Sequence, residues 1–229
     1  MRAMILAAGR GERMRPLTDT VPKPLLEAGG KPLIVWHIEK LVRAGVREIV
    51  INHAHLGARI EVALGDGARF GASIRYSPES EALETAGGIA TALPLLGAGP
   101  FLVVNGDIHI DVDYGAVSAV ALDGTPPILA HLVLVDNPGH HPDGDFALDG
   151  RFASLDRTPK LTFSGVGLYR PELFVGIAPL TKARLAPLLV SAMQTRQVTA
   201  QHHHGYWLDV GTPARLEELD RHLRTHPTV

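Results

Sequence analysis

Short apolar runs alternate with stretches of helical period through residues 1–122, and nothing else in the chain limits its fold as tightly. Residues 4–8 form a brief apolar run, and a Gly-rich stretch follows at once. Within 32–44, Ile34, Val35, Ile38, Leu41 and Val42 recur at a helical period, which predicts an amphipathic helix. Gly45 stands where a helix end favours a left-handed residue. Residues 48–52 (Glu-Ile-Val-Ile-Asn) read as a buried strand, 58–64 as a short helix and 73–77 as a strand. Thr85 is expected to cap a helix reaching Leu96. Residues 101–104 are a continuous apolar strand ending at Asn105-Gly106-Asp107, and 114–122 is helical again. Such alternation predicts an α/β fold, a largely parallel sheet with helices on both faces. Ligands bind such sheets at the carboxyl ends of the strands. Two loops leave predicted strand ends here, 9–15 and 105–111.

The second half is less regular. Residues 128–135 and 162–169 read as strands, separated by a loop at 136–145 rich in Pro, Gly, His and Asp. Residues 184–195 read as a helix with Pro187 in its first turn. Residues 199–208 are expected to be extended, and 213–223 to form a closing helix with Thr212 as N-cap. There is no fixed-period repeat and no separating linker, so residues 1–229 are read as one domain. A chain of 229 residues, 45% of them apolar, can bury one full α/β core.

Composition excludes several function classes. Lys and Arg number 22 against 24 Asp and Glu, a formal net charge of −2. Bulk charge therefore gives no grip on nucleic acid, no such partner is expected, and any phosphate site must be local. The absence of cysteine rules out disulfides, thiolate metal sites and cysteine nucleophiles, and fits a cytoplasmic protein. No apolar run approaches the roughly 18 residues that span a bilayer, so no membrane association is expected. The apolar start is too brief for a signal peptide and is read as a buried first strand.

The most informative string is Leu6-Ala7-Ala8-Gly9-Arg10-Gly11-Glu12-Arg13-Met14-Arg15-Pro16-Leu17-Thr18. Small residues after a strand let the backbone approach a ligand and aim its N–H groups at phosphate oxygens. The spacing lacks the third glycine of a dinucleotide site and the Gly-Lys-Ser/Thr of a P-loop, which argues against a dehydrogenase. Arg10, Arg13 and Arg15 lie in the same loop, and Pro22-Lys23-Pro24-Leu25 follows, with prolines stiffening the backbone around a lysine. Backbone donors, guanidinium and ammonium together suit a triphosphate.

This string, followed by Pro-Lys-Pro-Leu, resembles the signature of the sugar-1-phosphate nucleotidyltransferases, and every position of that signature is present. Later motifs extend the resemblance over nearly the whole chain. It implies a Rossmann-like three-layer sandwich with a mixed, mostly parallel sheet, in which 1–122 serves the nucleotide and 123–229 the sugar. It implies an enzyme that joins a sugar 1-phosphate to a nucleoside triphosphate and releases pyrophosphate. By the same resemblance Leu6, Ala7, Ala8, Gly9, Gly11 and Glu12 would line the nucleotide, Arg13 would hold its phosphates, and Lys23 would contact the α-phosphate region.

Two distant aspartates follow strand signals, Asp107 in Val-Asn-Gly-Asp and Asp209 in Trp-Leu-Asp-Val-Gly-Thr-Pro. Hard oxygen ligands of this kind suit Mg²⁺, which uses one or two carboxylates plus substrate phosphates. The resemblance implies that Asp107 and Asp209 are the two metal ligands, with Mg²⁺ as cofactor. Asp111 and Asp113 are read as ordinary loop or capping residues. A third block, Ser77-Pro78-Glu79 with Glu84-Thr85-Ala86-Gly87-Gly88, is expected to offer small residues and free helix-start N–H groups to a flat ligand. The resemblance puts Gly87 and Gly88 at the nucleobase, with Glu79 helping to read it. Asn105 would serve nucleotide and sugar, and Ser164 and Gly165 the sugar. The run His202-His203-His204 falls in a predicted strand, whose alternation points neighbours to opposite faces, so three adjacent histidines are poor ligands for one ion. The 136–145 loop, with His140 and His141, is read as a mobile sugar-side loop rather than a metal site.

Within the family, Glu-Thr-Ala-Gly-Gly, Val-Asn-Gly-Asp-Ile and the short C-terminus are most similar to members that uridylylate N-acetylmuramate 1-phosphate in cell-wall recycling. The resemblance therefore implies UTP and N-acetylmuramic acid 1-phosphate, with mannose- or heptose-1-phosphate guanylyl transfer as the alternative. The compact length argues against an acetyltransferase-fused form. A nucleotide-sensing subunit without activity would tend to lose Arg13, Lys23, Asp107 or Asp209, and all four are present.

Overall fold

The computed structural model describes residues 1–226. The strand β1 (Arg2–Leu6) leads through the Gly-rich loop to α1 (Leu17–Thr20). A small hairpin of β2 (Glu27–Ala28) and β3 (Lys31–Pro32) precedes α2 (Leu33–Arg43). Then come β4 (Glu48–His53), α3 (Gly57–Leu64), β5 (Ser73–Pro78), α4 (Glu84–Leu96), β6 (Phe101–Asn105), β7 (Ile108–Ile110) and α5 (Tyr114–Ser118). The second half holds β8 (Ala130–Val135), β9 (Phe146–Asp149), β10 (Phe152–Ser154), β11 (Lys160–Tyr169), α6 (Leu185–Gln194), β12 (Val198–His203), β13 (Trp207–Asp209) and α7 (Pro213–Thr225).

One nine-stranded sheet runs through both halves in the order β5-β4-β1-β6-β11-β8-β12-β10-β9. β5, β4, β1 and β6 pair in parallel. β11 opposes both β6 and β8, β12 is parallel to β8, and β10 opposes β12 and β9. Seven of the nine strands thus point one way, with β11 and β10 reversed. The sheet is mostly parallel, as the alternation predicts, and mixed, as the resemblance implies.

Strand periodicity divides the core. Ala3, Ile5, Ile49 and Ile51 pack beneath Ile34, Ile38 and Leu41 of α2. Met4 and Val50 face the other way, against Ala86, Ile89 and Ala90 of α4 and Leu189 of α6. A third cluster joins Leu219 and Leu223 of α7 to Met14, Leu33 and Val210. That cluster clamps the closing helix over the Gly-rich loop and brings β13 beside it.

Several boundaries differ from expectation. Thr85 is not the N-cap of α4, because the helix starts at Glu84 behind Leu83 and has no side-chain cap. The amides of Ala86 and Gly87 donate instead to the Ala183 carbonyl, at 3.0 and 3.1 Å. The predicted 114–122 helix stops at Ser118, where Ala119 donates to both Gly115 and Ala116 and tightens the last turn. Leu122 is buried outside the helix, with its carbonyl accepting from Arg170. Thr212 does cap α7, accepting from the Arg215 amide, and Asp113 caps α5 through the Gly115 amide at 2.7 Å.

Candidate active site

Three parallel strand ends set the floor of the site. Leu6, the last residue of β1, pairs with Asn52 of β4 on one side and Asn105 of β6 on the other. Past Leu6 the sheet ladder ends, and the Asn52 carboxamide takes over. It accepts from the Ala7 amide at 3.0 Å and donates to Glu79 Oε1 at 2.7 Å. Glu79 Oε2 accepts from the Leu83 amide at 3.0 Å. This chain fixes the start of the Gly-rich loop against the entry to α4. Above it lies a cleft of about 390 Å³, lined among others by Ala7, Ala8, Gly9, Lys23, Glu79, Asn105 and Asp107. That volume suits a small ligand. A side chain on Gly9 would point into open space, so nothing of the protein fills the room above this backbone.

The two distant aspartates meet on a two-stranded ribbon. β13 pairs antiparallel with β7, setting Asp209 opposite Ile108, and the Val210 amide donates to the Asp107 carbonyl at 2.8 Å. Each carboxylate faces a cation. Lys23, only 7% exposed, puts Nζ 2.6 Å from Asp107 Oδ2. Asp209 Oδ1 accepts from Arg215 and lies 3.1 Å from His140 Nε2. Arg215 Nη1 also lies 2.8 Å from that imidazole nitrogen. His140 thus brings the 136–145 loop against the expected metal ligand. The loop is tied at its root by Asn137, which donates to the carbonyls of Pro142 and Lys160, and by Asp145, which accepts from the Phe163 amide.

The other predicted residues fall into two groups. Gly11 adopts φ +68°, and a side chain there would press on Thr18 and Lys23, so this glycine lets the loop fold down onto the buried lysine. Arg13 is exposed and reaches Gly211, beside Asp209. Arg15 pairs with Asp19, and Arg10 with Glu12. Arg13 alone of the three has no carboxylate partner among the described residues. Asn105 packs against Gly165, whose φ of +87° marks the bulge in β11.

Four further expected site residues lie outside the cleft lining. Glu12 points outward beside Arg10 and does not line the cleft. Gly87 faces the 181–183 segment, where a side chain would strike the Thr181 carbonyl, and its amide is already taken by Ala183. Gly88 lies beneath the cleft against Asn52 and Glu79, and a methyl there would sit 2.8 Å from each. Ser164 is buried, its Oγ accepting from the Val166 amide at 3.2 Å; it shapes the bulge while Asn105 and Gly165 face each other.

Sequence reasoning missed Asn52 and Arg215, and it placed His140 in a sugar-side loop without its contact to Asp209. Asn52 was legible, because it ends a predicted parallel strand as Asn105 does. Arg215 and His140 carry no local signal; the contact is made by packing α7 and the 136–145 loop onto β13.

Behind the ribbon lies a buried polar layer. His37 Nδ1 is 2.8 Å from the Tyr114 hydroxyl, and its Nε2 is 2.9 Å from the Ile108 carbonyl. Burial, with help from His109 and Lys40, lowers the His37 pKa to about 3. Burial, then Lys40 and His222, lowers His109 to about 4. Burial pushes the Asp111 carboxyl up, but hydrogen bonds from the Tyr206 backbone and the His203 ring outweigh it and hold it below its ordinary value. These groups back β7, the strand that follows Asp107.

Residues 2–141 match the nucleotidyl transferase family. The chain belongs to that family. It is 59% identical to the N-acetylmuramate alpha-1-phosphate uridylyltransferase of Neisseria meningitidis serogroup B, over 95% of this chain and 96% of that protein. It is 36% identical to the protein of the same name from Caulobacter vibrioides, over 92% of each. Among solved structures, a Bacillus anthracis protein assigned as a glucose-1-phosphate thymidylyltransferase superposes with a TM-score of 0.86 at 23% identity. The match covers 100% of this chain and 97% of that one. At that identity the likeness speaks to the fold, and it extends over both halves of the sheet.

Proposed function

We propose that this enzyme transfers a uridylyl group from UTP to N-acetylmuramic acid 1-phosphate and releases pyrophosphate. The observation that carries the reading is the meeting of Lys23, Asp107 and Asp209 beside a cleft floored by the Ala7–Gly9 backbone. The near-full-length similarity to the Neisseria protein supports the choice of substrates.

In this reading an oxygen of the sugar phosphate attacks the α-phosphorus in line. The new P–O bond forms as the bond to the bridging oxygen of pyrophosphate breaks. A phosphate monoester has a second pKa near 6, so the nucleophile is largely dianionic at neutral pH and needs no general base. The requirement is to hold two anions together and to stabilise the charge that builds between them. Lys23 supplies a buried cation at the cleft wall, and Arg13 an exposed one near Gly211, beside Asp209. The 7–9 backbone fixes the nucleotide, and Asn105 against Gly165 orients the sugar side.

The donor set of two adjacent carboxylates fits a hard divalent ion. Asp107 and Asp209 would hold Mg²⁺, which when bound supplies Lewis-acid polarisation of the phosphate oxygens. Lys23 and Arg215 hold the two carboxylates in place through their ion pairs.

The test is to offer each of the four nucleoside triphosphates with N-acetylmuramic acid 1-phosphate, mannose 1-phosphate and glucose 1-phosphate, and to measure pyrophosphate. UTP with the muramic acid phosphate should give the highest kcat/KM. Preference for GTP with mannose 1-phosphate would overturn the uridylyl reading, and no pyrophosphate from any pair would overturn catalysis itself.

A further inference from the structure

His202 and His203 end β12, His204 follows it, and none of the three lines the cleft. Strand alternation separates them. His203 turns to Asp111, with Nε2 2.5 Å from Oδ1. His202 and His204 share the opposite face, with ring centroids 3.9 Å apart. β12 runs parallel to β8 with His203 opposite Val135, so the next residue out of β8, Asp136, arrives at the same place. His202 Nε2 lies 2.9 Å from Asp136 Oδ1. One ligand atom from each of Asp136, His202 and His204 falls within 4.8 Å of the others, the one such convergence among the described residues. The objection to adjacent histidines holds for all three together. It fails for two that share a face and meet a carboxylate from the neighbouring strand.

We propose that Asp136, His202 and His204 form a binding site for a divalent transition metal of the Zn²⁺ or Ni²⁺ type. Two imidazoles and a carboxylate match the preferences of those ions, whereas Mg²⁺ takes oxygen ligands almost exclusively. The site is therefore chemically distinct from the carboxylate pair at Asp107 and Asp209. Ligand bonds of about 2.0–2.2 Å put the donors of a tetrahedral site about 3.4 Å apart. Small side-chain rotations reach that spacing, because His204 is exposed and the Asp136 side chain is 78% exposed. β8 and β12 are paired in register up to Val135 and His203, so Asp136 and His204, the next residue after each strand, leave the sheet side by side next to His202.

The position gives the ion a consequence. Asp136 opens the 136–145 loop, and His140 of that loop touches Asp209. A metal on Asp136, His202 and His204 fastens the root of the loop to β12 and reduces its freedom.

The experiment uses the full chain, stripped with a chelator and titrated with Zn²⁺ against a chromogenic competitor, with Co²⁺ absorption as a second probe. The wild type should bind one tight equivalent that millimolar Mg²⁺ does not displace. Loss of an outer-shell partner costs about 10–100-fold in metal affinity, so removal of a direct ligand in His204→Ala or Asp136→Asn should cost about a hundredfold or more. His203→Ala should bind as the wild type does. Zn²⁺ should slow amide exchange across 136–145 in the wild type and not in His204→Ala. Equal binding by the wild type and His204→Ala, an equal loss in His203→Ala, or no tight equivalent would overturn the site. Unchanged exchange at 136–145 would overturn the fastening of the loop.

Discussion

Lys23 is nearly buried while Arg13 stands in solvent, and the two cations should answer differently to substitution. Arg13 has no ion pair among the described residues, so Arg13→Ala removes nothing that the fold uses. Surface changes of that kind stay within about 0.5 kcal/mol, and the melting temperature should hardly move. If Arg13 meets the phosphates, turnover should still fall by about two orders of magnitude, the scale of losing one stabilising donor. Pyrophosphate release and a thermal melt on the same preparation would separate the effects, and normal turnover would remove Arg13 from the phosphate site. Asp107→Asn should also keep its fold, because the amide oxygen still accepts from Lys23. It should lose about two or more orders of magnitude in rate through the lost charge. A near-normal rate would withdraw Asp107 from the metal role.

At the scale of elements, the entry to α4 is the most constrained junction. The carbonyl of Ala183 takes the amides of Ala86 and Gly87, and the Ala183 amide donates back to Leu83 at 3.0 Å. A glycine-to-alanine change inside a helix normally gains about 1 kcal/mol. Here the sign reverses, because a methyl on Gly87 would meet the Thr181 carbonyl, which is backbone and cannot swing aside. Overpacking costs about 1–3 kcal/mol, so Gly87→Ala should lower the urea midpoint; an unchanged or higher midpoint would show that the 181–183 segment yields. The helix start illustrates what local pattern can and cannot reveal. Thr85 has the residue type of a cap, yet the carbonyl that satisfies the amides comes from about a hundred residues away. The strands β1, β4 and β6 were legible because each is a buried apolar run in a βα repeat. β7 and β13 were not read as a ribbon, since three residues each carry little periodicity and their pairing is long-range. The β9–β10 hairpin was missed for a similar reason, in a stretch crowded with Asp, Gly and Ser. Lys23, Asp107 and Asp209, picked out from their strings, are brought together by the fold. Glu12 and Gly87 belong to the same strings, yet their orientation was set by an outward ion pair and by a tertiary contact.

For the molecule as a whole, a single sheet runs through both halves, and the buried cluster on each of its faces draws residues from both, so the halves should unfold together. The acid limit of that stability is set partly by the polar layer behind β7. His37 is held at about 3 and His109 at about 4, both first by burial. In the unfolded chain an imidazole titrates near 6.5. Below about pH 6.5 the unfolded state therefore binds protons that the folded state refuses, and linkage makes stability fall as pH falls. The stabilising contribution is present in full above pH 6.5 and is lost on the way down to about pH 4 for His109 and about pH 3 for His37. Each imidazole contributes a slope of about 1.4 kcal/mol per pH unit within that window. Burial also lowers His131 and His222, so urea midpoints between pH 5 and 6.5 should report a proton uptake on unfolding to which His37 and His109 contribute up to about two. His37→Gln keeps a donor for Ile108 and an acceptor for Tyr114 but cannot titrate, so the uptake should drop by up to about one proton. A slope unchanged by that substitution would mean that the acid sensitivity arises elsewhere, in the exposed ion pairs of the surface, and that the buried layer is only a scaffold for β7.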